Sequence, residues 1–86
     1  MDSYRLRVSR DVLRLIRNTQ DGEQAEQLTR VFLNLASHPT PASAVSVPDA
    51  PLFYCLTAGQ FEIQYTINHE ERLIHVHAVV RRAPDA

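Results

Sequence analysis

The chain has 86 residues, 44% of them hydrophobic, and a formal net charge of −1, which together describe one small domain spanning residues 1–86. Near-neutral charge argues against a protein held on nucleic acid mainly by counterion release, even though all nine basic residues are arginines. A single cysteine, Cys55, excludes an internal disulfide and favours a reducing compartment, and no stretch approaches the roughly 18 apolar residues that span a membrane, so we expect a cytoplasmic protein without a membrane partner.

Residues 4–18 predict a strand and a short helix. From Tyr4 to Val8, apolar residues alternate with Arg5 and Arg7, which is the period of a strand that buries only one side. Ser9 is a favourable N-cap for a helix over residues 10–18. Val12, Leu13 and Ile16 recur within it at helical spacing.

A second helix and a loop follow. Asp21 is a suitable N-cap, and the helix ends around Ser37 because His38 precedes a proline, which disfavours helical backbone. The apolar positions of this helix share one face: Ala25, Leu28, Phe32 and Leu35. Residues 38–51 are rich in proline and small side chains without a sustained period, which predicts a loop.

The last third of the chain predicts three strands joined by two hairpins, over residues 52–57, 60–67 and 72–80. We expect a two-residue turn at Ala58-Gly59 and a four-residue turn at 68–71. This register opposes Leu56 to Phe61, Tyr65 to Ile74, Ile63 to Val76 and Phe61 to Ala78. The residues that it places on the buried side are Tyr54, Leu56, Phe61, Ile63, Tyr65, Ile74 and Val76.

The same register places polar residues on the other side of the sheet. It pairs Glu62 with His77 and Gln64 with His75, and it sets Cys55 beside Glu62. The predicted architecture is therefore α+β, in the order β-α-α-β-β-β, with both helices on one face of an antiparallel sheet and the other face open.

This order resembles the RelE/ParE superfamily of bacterial toxins. The similar segments are Gly-Gln-Phe-Glu-Ile-Gln-Tyr-Thr-Ile at 59–67 and Leu-Ile-His-Val-His-Ala-Val-Val-Arg-Arg at 73–82, and the likeness extends from Tyr4 to Arg82. The resemblance implies the toxin of a type II toxin–antitoxin system that inhibits translation by cleaving messenger RNA, or inhibits DNA gyrase. It also implies a cognate antitoxin as partner, and no cofactor is expected.

Several residues depart from the family pattern. Glu62 stands where the family usually has an arginine, and Cys55 and Thr57 stand at strand positions that are often basic. Arg82 matches the final arginine of the family, and Arg81 takes the position of a histidine. Because such cations stabilise phosphate charge, we expect weak or absent ribosome-dependent RNA cleavage. The alternative function is a catalytically silent protein-binding module that keeps the fold.

A replacement acid–base site is one hypothesis for the open face. Glu62, His75 or His77 would take the 2′-hydroxyl proton, while Arg81 or Arg82 steadies the phosphorane. The alternative is that an exposed sheet face carries polar residues simply because it is exposed. The two histidines and Glu62 are also ligand types of a two-histidine, one-carboxylate metal site, but this spacing is unspecific and we predict no metal.

Two further surfaces are predicted from the strands. Arg5 and Arg7, with Arg81 and Arg82, would form a basic patch for nucleic acid, unless they are solvated charges that keep a sheet edge from aggregating. The apolar residues expected on the open face are Phe53, Leu73 and Val79. They favour a partner surface, for an antitoxin segment that folds on binding or for a second copy in a homodimer, although scattered apolar side chains are common on protein surfaces.

Overall fold

Two helices cover one side of a five-stranded sheet in the computed structural model, which describes residues 3–19 and 21–81. The elements in chain order are β1 (Arg5–Val8), α1 (Arg10–Asn18), α2 (Gly22–Ser37), β2 (Ala44–Val47), β3 (Ala50–Ala58), β4 (Phe61–Asn68) and β5 (Leu73–Arg81). The predicted α+β class, with both helices on one face, is confirmed.

The strand order across the sheet is β1-β5-β4-β3-β2. Neighbouring strands are antiparallel, except that β1 runs parallel to β5, so the sheet is mixed rather than purely antiparallel as predicted. Strand β2 was predicted as loop. It is a four-residue edge strand that joins β3 through a turn at Pro48-Asp49, and such a short segment rich in small residues gives no recognisable period.

Both helices begin at the predicted caps. The Ser9 side chain accepts a hydrogen bond from the backbone N–H of Val12, and the Asp21 carboxylate accepts from those of Glu23 and Gln24. Helix α1 covers residues 10–18 and α2 ends at Ser37, both as predicted. Within residues 3–19 and 21–81, no helix is long and apolar enough to cross a membrane.

The core lies between the helices and the sheet. It is formed by Val12, Leu28, Phe32, Leu35, Leu56, Phe61, Ile63, Tyr65, Ile67, Ile74 and Val76. The five residues predicted to be buried on β4 and β5 are at most 1% exposed, which confirms which side of these strands faces the helices. Leu13 of α1 does not join them, since it is 49% exposed.

The pairing of the hairpins differs from the prediction by two residues, and by three beyond an irregularity in β5, where Ile63 opposes Val79 instead of Val76 and Phe61 opposes Arg81 instead of Ala78. The β3–β4 turn is Gly59-Gln60, where a φ of 60° at Gly59 fits a type II′ turn, and Leu56 therefore opposes Ile63 instead of Phe61. The four-residue β4–β5 turn lies at 69–72, so Tyr65 opposes Val76 instead of Ile74. Because an even shift leaves every side chain on the same face, the buried set survives the error.

A β-bulge in β5 reverses which side of the sheet the side chains after it face. Tyr65 pairs with Val76 but Gln64 pairs with Ala78, which leaves His77 as the extra residue. The Ser9 hydroxyl donates to the His77 carbonyl at 3.0 Å and so holds the bulge against the β1–α1 junction. Beyond it, Val79 opposes Ile63 and packs on the core, so its predicted place on the open face is wrong.

Candidate functional site

Aromatic and imidazole rings gather on the open face, the side of the sheet that faces away from the helices. The ring centroids of His75 and His77 are 4.0 Å apart, and the Phe53 ring lies nearly parallel to that of His77 with centroids 6.0 Å apart. Thr66 Oγ1 shares a hydrogen bond of 2.8 Å with His77 Nε2. These four residues, from β3, β4 and β5, form what we call the ring cluster.

The ring cluster favours a neutral imidazole at His77. Desolvation, and secondarily the nearby His75, lower the pKa of His77 below its usual 6.5. In the tautomer whose Nε2–H donates to Thr66 Oγ1, the Nδ1 lone pair can accept a proton or a hydrogen bond, whereas in the other tautomer the Nε2 lone pair accepts from the Thr66 hydroxyl. The chemistry within reach of the ring cluster is therefore proton transfer near neutral pH and stacking against flat groups.

Glu62 lies apart from the ring cluster. It opposes Thr57 on β3 and Val80 on β5, so the predicted pairing with His77 and the predicted contact with Cys55 are wrong. The two-residue shift and the bulge account for both errors. Thr66, the β4 member of the ring cluster, is four residues beyond Glu62, or about 13 Å along a strand. The structure shows no hydrogen bond or ion pair between Glu62 and His77.

Arg81 lies on the opposite side of the sheet from the ring cluster. After the bulge its side chain turns towards the helices, where its guanidinium lies 5.6 Å from the centroid of the Phe61 ring and donates to Gln24 Oε1 of α2. The predicted meeting of Arg81 with His75 and His77 is therefore wrong. The other predicted arginine, Arg82, lies outside the described residues.

The predicted basic patch is divided by the topology. Parallel pairing sets Arg5 beside Leu73 and Arg7 beside His75, at the beginning of β5, whereas Arg81 ends that strand, about 20 Å away. Arg5 and Arg7 are both exposed on the open face. The result is one row across three strands, in which Arg7 is followed by His75 and then by Thr66.

Metal ligands do not converge in the part of the chain that the structure describes. No group of three histidine, cysteine, aspartate or glutamate side chains there is close enough to hold a metal ion. His75 and His77 form a pair, but Glu62 does not complete a three-ligand set with them.

Apolar residues flank the ring cluster on the open face. Phe53 and Leu73 are half-buried there, in the positions expected for partner contacts. Val80, which opposes Glu62, is 46% exposed and takes the outward place predicted for Val79, and Val45 on the edge strand β2 is 66% exposed. The open face thus combines rings, two arginines and exposed aliphatic groups.

Two contacts were not predicted from the sequence: that of Thr66 with His77 and that of Gln24 with Arg81. Thr66 alternates with Gln64 and Glu62 along β4, so the period that placed those two on the open face also applies to Thr66. Gln24 gives no comparable signal, because its contact with Arg81 joins the beginning of α2 to the end of β5. Only the three-dimensional packing brings Gln24 and Arg81 together.

The architecture is RelE-like. The fold matches the isolated RelE toxin of E. coli with a TM-score of 0.80, 16% identity, and coverage of 96% of this chain and 88% of that one. It matches the archaeal RelE–RelB complex from Pyrococcus horikoshii with a TM-score of 0.79, 13% identity, and coverage of 96% and 99%. For the toxin–antitoxin complex RelBE2 of Mycobacterium tuberculosis the TM-score is 0.78, at 13% identity and with coverage of 93% and 99%.

In sequence the chain stands apart. No protein-family model matches it, and no curated protein is significantly similar to it. At these identities the structural agreement is evidence of the fold.

Proposed function

We propose that this chain is the toxin of a RelE-like toxin–antitoxin pair and that a cognate antitoxin protein binds and neutralises it. The proposal is supported by one observation above all: the two-helix, five-stranded architecture agrees over almost its whole length with RelE toxins, several of them solved together with a RelB antitoxin. The toxin acts in the cytoplasm on translation or on DNA gyrase. Separate reactions with ribosomes and with gyrase distinguish the two targets.

Inducible expression in a bacterial host tests this function. Growth should stop on induction and should recover when the product of the adjacent gene is co-expressed. Purified protein is then added to programmed ribosomes with a mapped message, and separately to a gyrase supercoiling reaction. Unimpaired growth, together with no effect in either reaction, would contradict the toxin proposal.

The open face is the proposed working surface. Arg5 and Arg7 are the proposed contacts to nucleic acid, and His75 and His77 are the candidates for moving a proton. Because Glu62, Cys55 and Thr57 bring no positive charge to their part of this face, we expect RNA cleavage on ribosomes to be weak. Any cleavage should fall on changing His77→Ala and persist in His38→Ala, which removes an imidazole at the end of α2, away from the open face.

Phe53 and Leu73 are the proposed antitoxin contacts. Leu73→Asp would bury an unpaired carboxylate in that contact and should weaken binding by about 2–4 kcal/mol. Leu33→Asp is the matched control, because Leu33 is 66% exposed on α2. Calorimetry against the neighbouring gene product measures both variants. Equal affinities would remove the open face as the antitoxin surface.

A second candidate function is a binding module without catalysis. Two observations favour it: Glu62 carries the wrong charge to hold a phosphate, and Arg81 is engaged by Gln24 and Phe61 on the far side of the sheet. Such a protein would bind its partner and leave growth, message and gyrase unaffected. Binding measured without any toxic effect would therefore select this second function.

A further inference from the structure

Positive charge is concentrated in the first quarter of the chain. Residues 3–19 contain five arginines and one aspartate, a formal charge of +4, although the whole chain carries −1. Three of these arginines, Arg10, Arg14 and Arg17, are exposed on α1. None of the three side chains has a hydrogen bond or an ion pair to another residue in 3–19 or 21–81. Their charge is therefore not used within the described fold.

The three arginines share one side of α1 with a leucine. At about 100° per residue, Arg10, Arg14, Arg17 and Leu13 fall within an arc of about 100°, and the buried Val12 lies on the opposite side. We call these four residues the arginine ridge. It is about 10 Å long, and Leu13, halfway along it but at one edge of the arc, is 49% exposed. A half-exposed leucine beside three arginines that have no side-chain partner among the described residues combines an apolar and a charged part, as protein contact surfaces do.

We infer that the arginine ridge docks an acidic amphipathic helix of another protein. Glutamates spaced three or four residues apart on such a helix would meet Arg10, Arg14 and Arg17, and an apolar residue on the same side would cover Leu13. The exposed leucine favours a protein over nucleic acid, because a phosphate backbone offers no group to bury against it. The inference does not depend on the toxin proposal, since the ridge lies on the outer side of a helix and not on the open face.

The nearest acid on α1 does not neutralise the ridge. Asp11 lies about a third of a turn around the helix from the centre of the ridge and three residues before Arg14, and it forms no ion pair with a described residue. It sits in the first turn, where a carboxylate interacts favourably with the helix dipole. The ridge is therefore open to an external carboxylate partner.

A patterned peptide tests the inference on the full chain. The probe is an 18-residue peptide with glutamates and one leucine on a single helical face, and its control has the same composition in permuted order. Calorimetry in 150 mM salt gives the affinities, and amide NMR shifts locate the contact. We expect the patterned peptide to bind at least about tenfold more tightly than the permuted one, with shifts centred on α1.

Variants separate the charge from the apolar anchor. Arg14→Glu should lower affinity for the patterned peptide at least about tenfold, whereas Arg30→Glu, the same change on the exposed side of α2, should alter it less than about twofold. Leu13→Ser should weaken binding while leaving its salt dependence unchanged, and circular dichroism checks that each variant is folded.

Three results would overturn the inference. The first is equal binding of the patterned and permuted peptides, or shifts that lie away from α1. The second is tighter binding of a 12-nucleotide single-stranded RNA at the ridge under the same salt, which would assign the ridge to nucleic acid. The third is self-association in light scattering that Arg14→Glu abolishes, which would make a second copy the occupant.

Discussion

The two sides of the sheet hold their side chains in different ways. On the helix side, Phe61, Ile63, Tyr65 and Ile67 of β4 are at most 2% exposed, and packing leaves little freedom for substitution. On the open face, the alternate residues of the same strand are only half-buried and make polar contacts such as that of Thr66 with His77. One side of each strand thus carries the stability, and the other is free to change its chemistry without loss of the fold.

Neighbouring residues on β5 give the largest expected contrast. Ile74 is fully buried on the helix side, so Ile74→Ala should lower the free energy of unfolding by about 2–5 kcal/mol. His75 faces the other way, and His75→Ala should change it by less than about 1 kcal/mol. Urea denaturation of both variants measures the difference. Similar losses for the two would mean that the open face also carries the stability of the fold.

The two glycines offer a second, smaller contrast. Gly59→Ala should destabilise by about 1–2 kcal/mol because φ is positive there. The added Cβ would also lie 2.5 Å from Nε2 of Gln27, although that flexible side chain can move. In Gly22→Ala the new Cβ meets nothing within 4 Å, and we expect no loss of stability. Thermal unfolding compares the two, and an equal shift in Tm would argue against the turn geometry.

Tyr65 sharpens the comparison from the helix side. Its hydroxyl donates to the carbonyl of Pro39 at 2.8 Å and ties the segment after α2 to the core, so Tyr65→Phe should cost about 1 kcal/mol. Burial raises the pKa of Tyr65 to about 12. Since the unfolded tyrosine ionises near 10, stability should fall as the pH rises from 10 to 12, and less so in the phenylalanine variant. Equal alkaline sensitivity in the two proteins would contradict this role.

The smallest effect concerns His77 on the open face. Because its pKa is lowered in the folded state, the unfolded chain takes up the proton first when the pH falls below 6.5. Stability should therefore decrease from that point until the folded pKa is reached, and His77→Gln should reduce this decrease. Titration of the imidazole NMR signals gives the folded pKa directly. A value at or above 6.5 would mean that the ring cluster does not desolvate His77.

Sequence patterns predicted the buried residues of the helix side well, because these residues recur at the regular period of a strand or a helix. The alternation in β4 and the spacing of Leu28, Phe32 and Leu35 in α2 both report one apolar side, and they identified it even where the pairing was two residues out. The edge strand β2 was not predicted, since four residues near prolines show no hydrophobic period.

The candidate site was predicted less well, because it depends on exact pairing. In Ala78-Val79-Val80 the alternation of β5 gives way to consecutive small and apolar residues, so no local pattern shows that His77 is an extra residue. The two-residue shift separates Glu62 from His77, and the insertion at His77 turns Arg81 towards α2. Polar contacts across a sheet follow from register, and a shift that leaves the core unchanged rearranges them.

The parallel pairing of β1 with β5 affects when the sheet can fold during synthesis of the chain. Arg5–Val8 completes its place in the sheet only beside Leu73–Val76, almost the whole described chain later. Until then β1 lacks its sheet neighbour, and Ser9 lacks the carbonyls of Val76 and His77 to which it donates. Such distant contacts slow folding. The native sheet should therefore assemble only after synthesis has passed β5, which leaves an interval for a partner to meet the chain before it is fully folded.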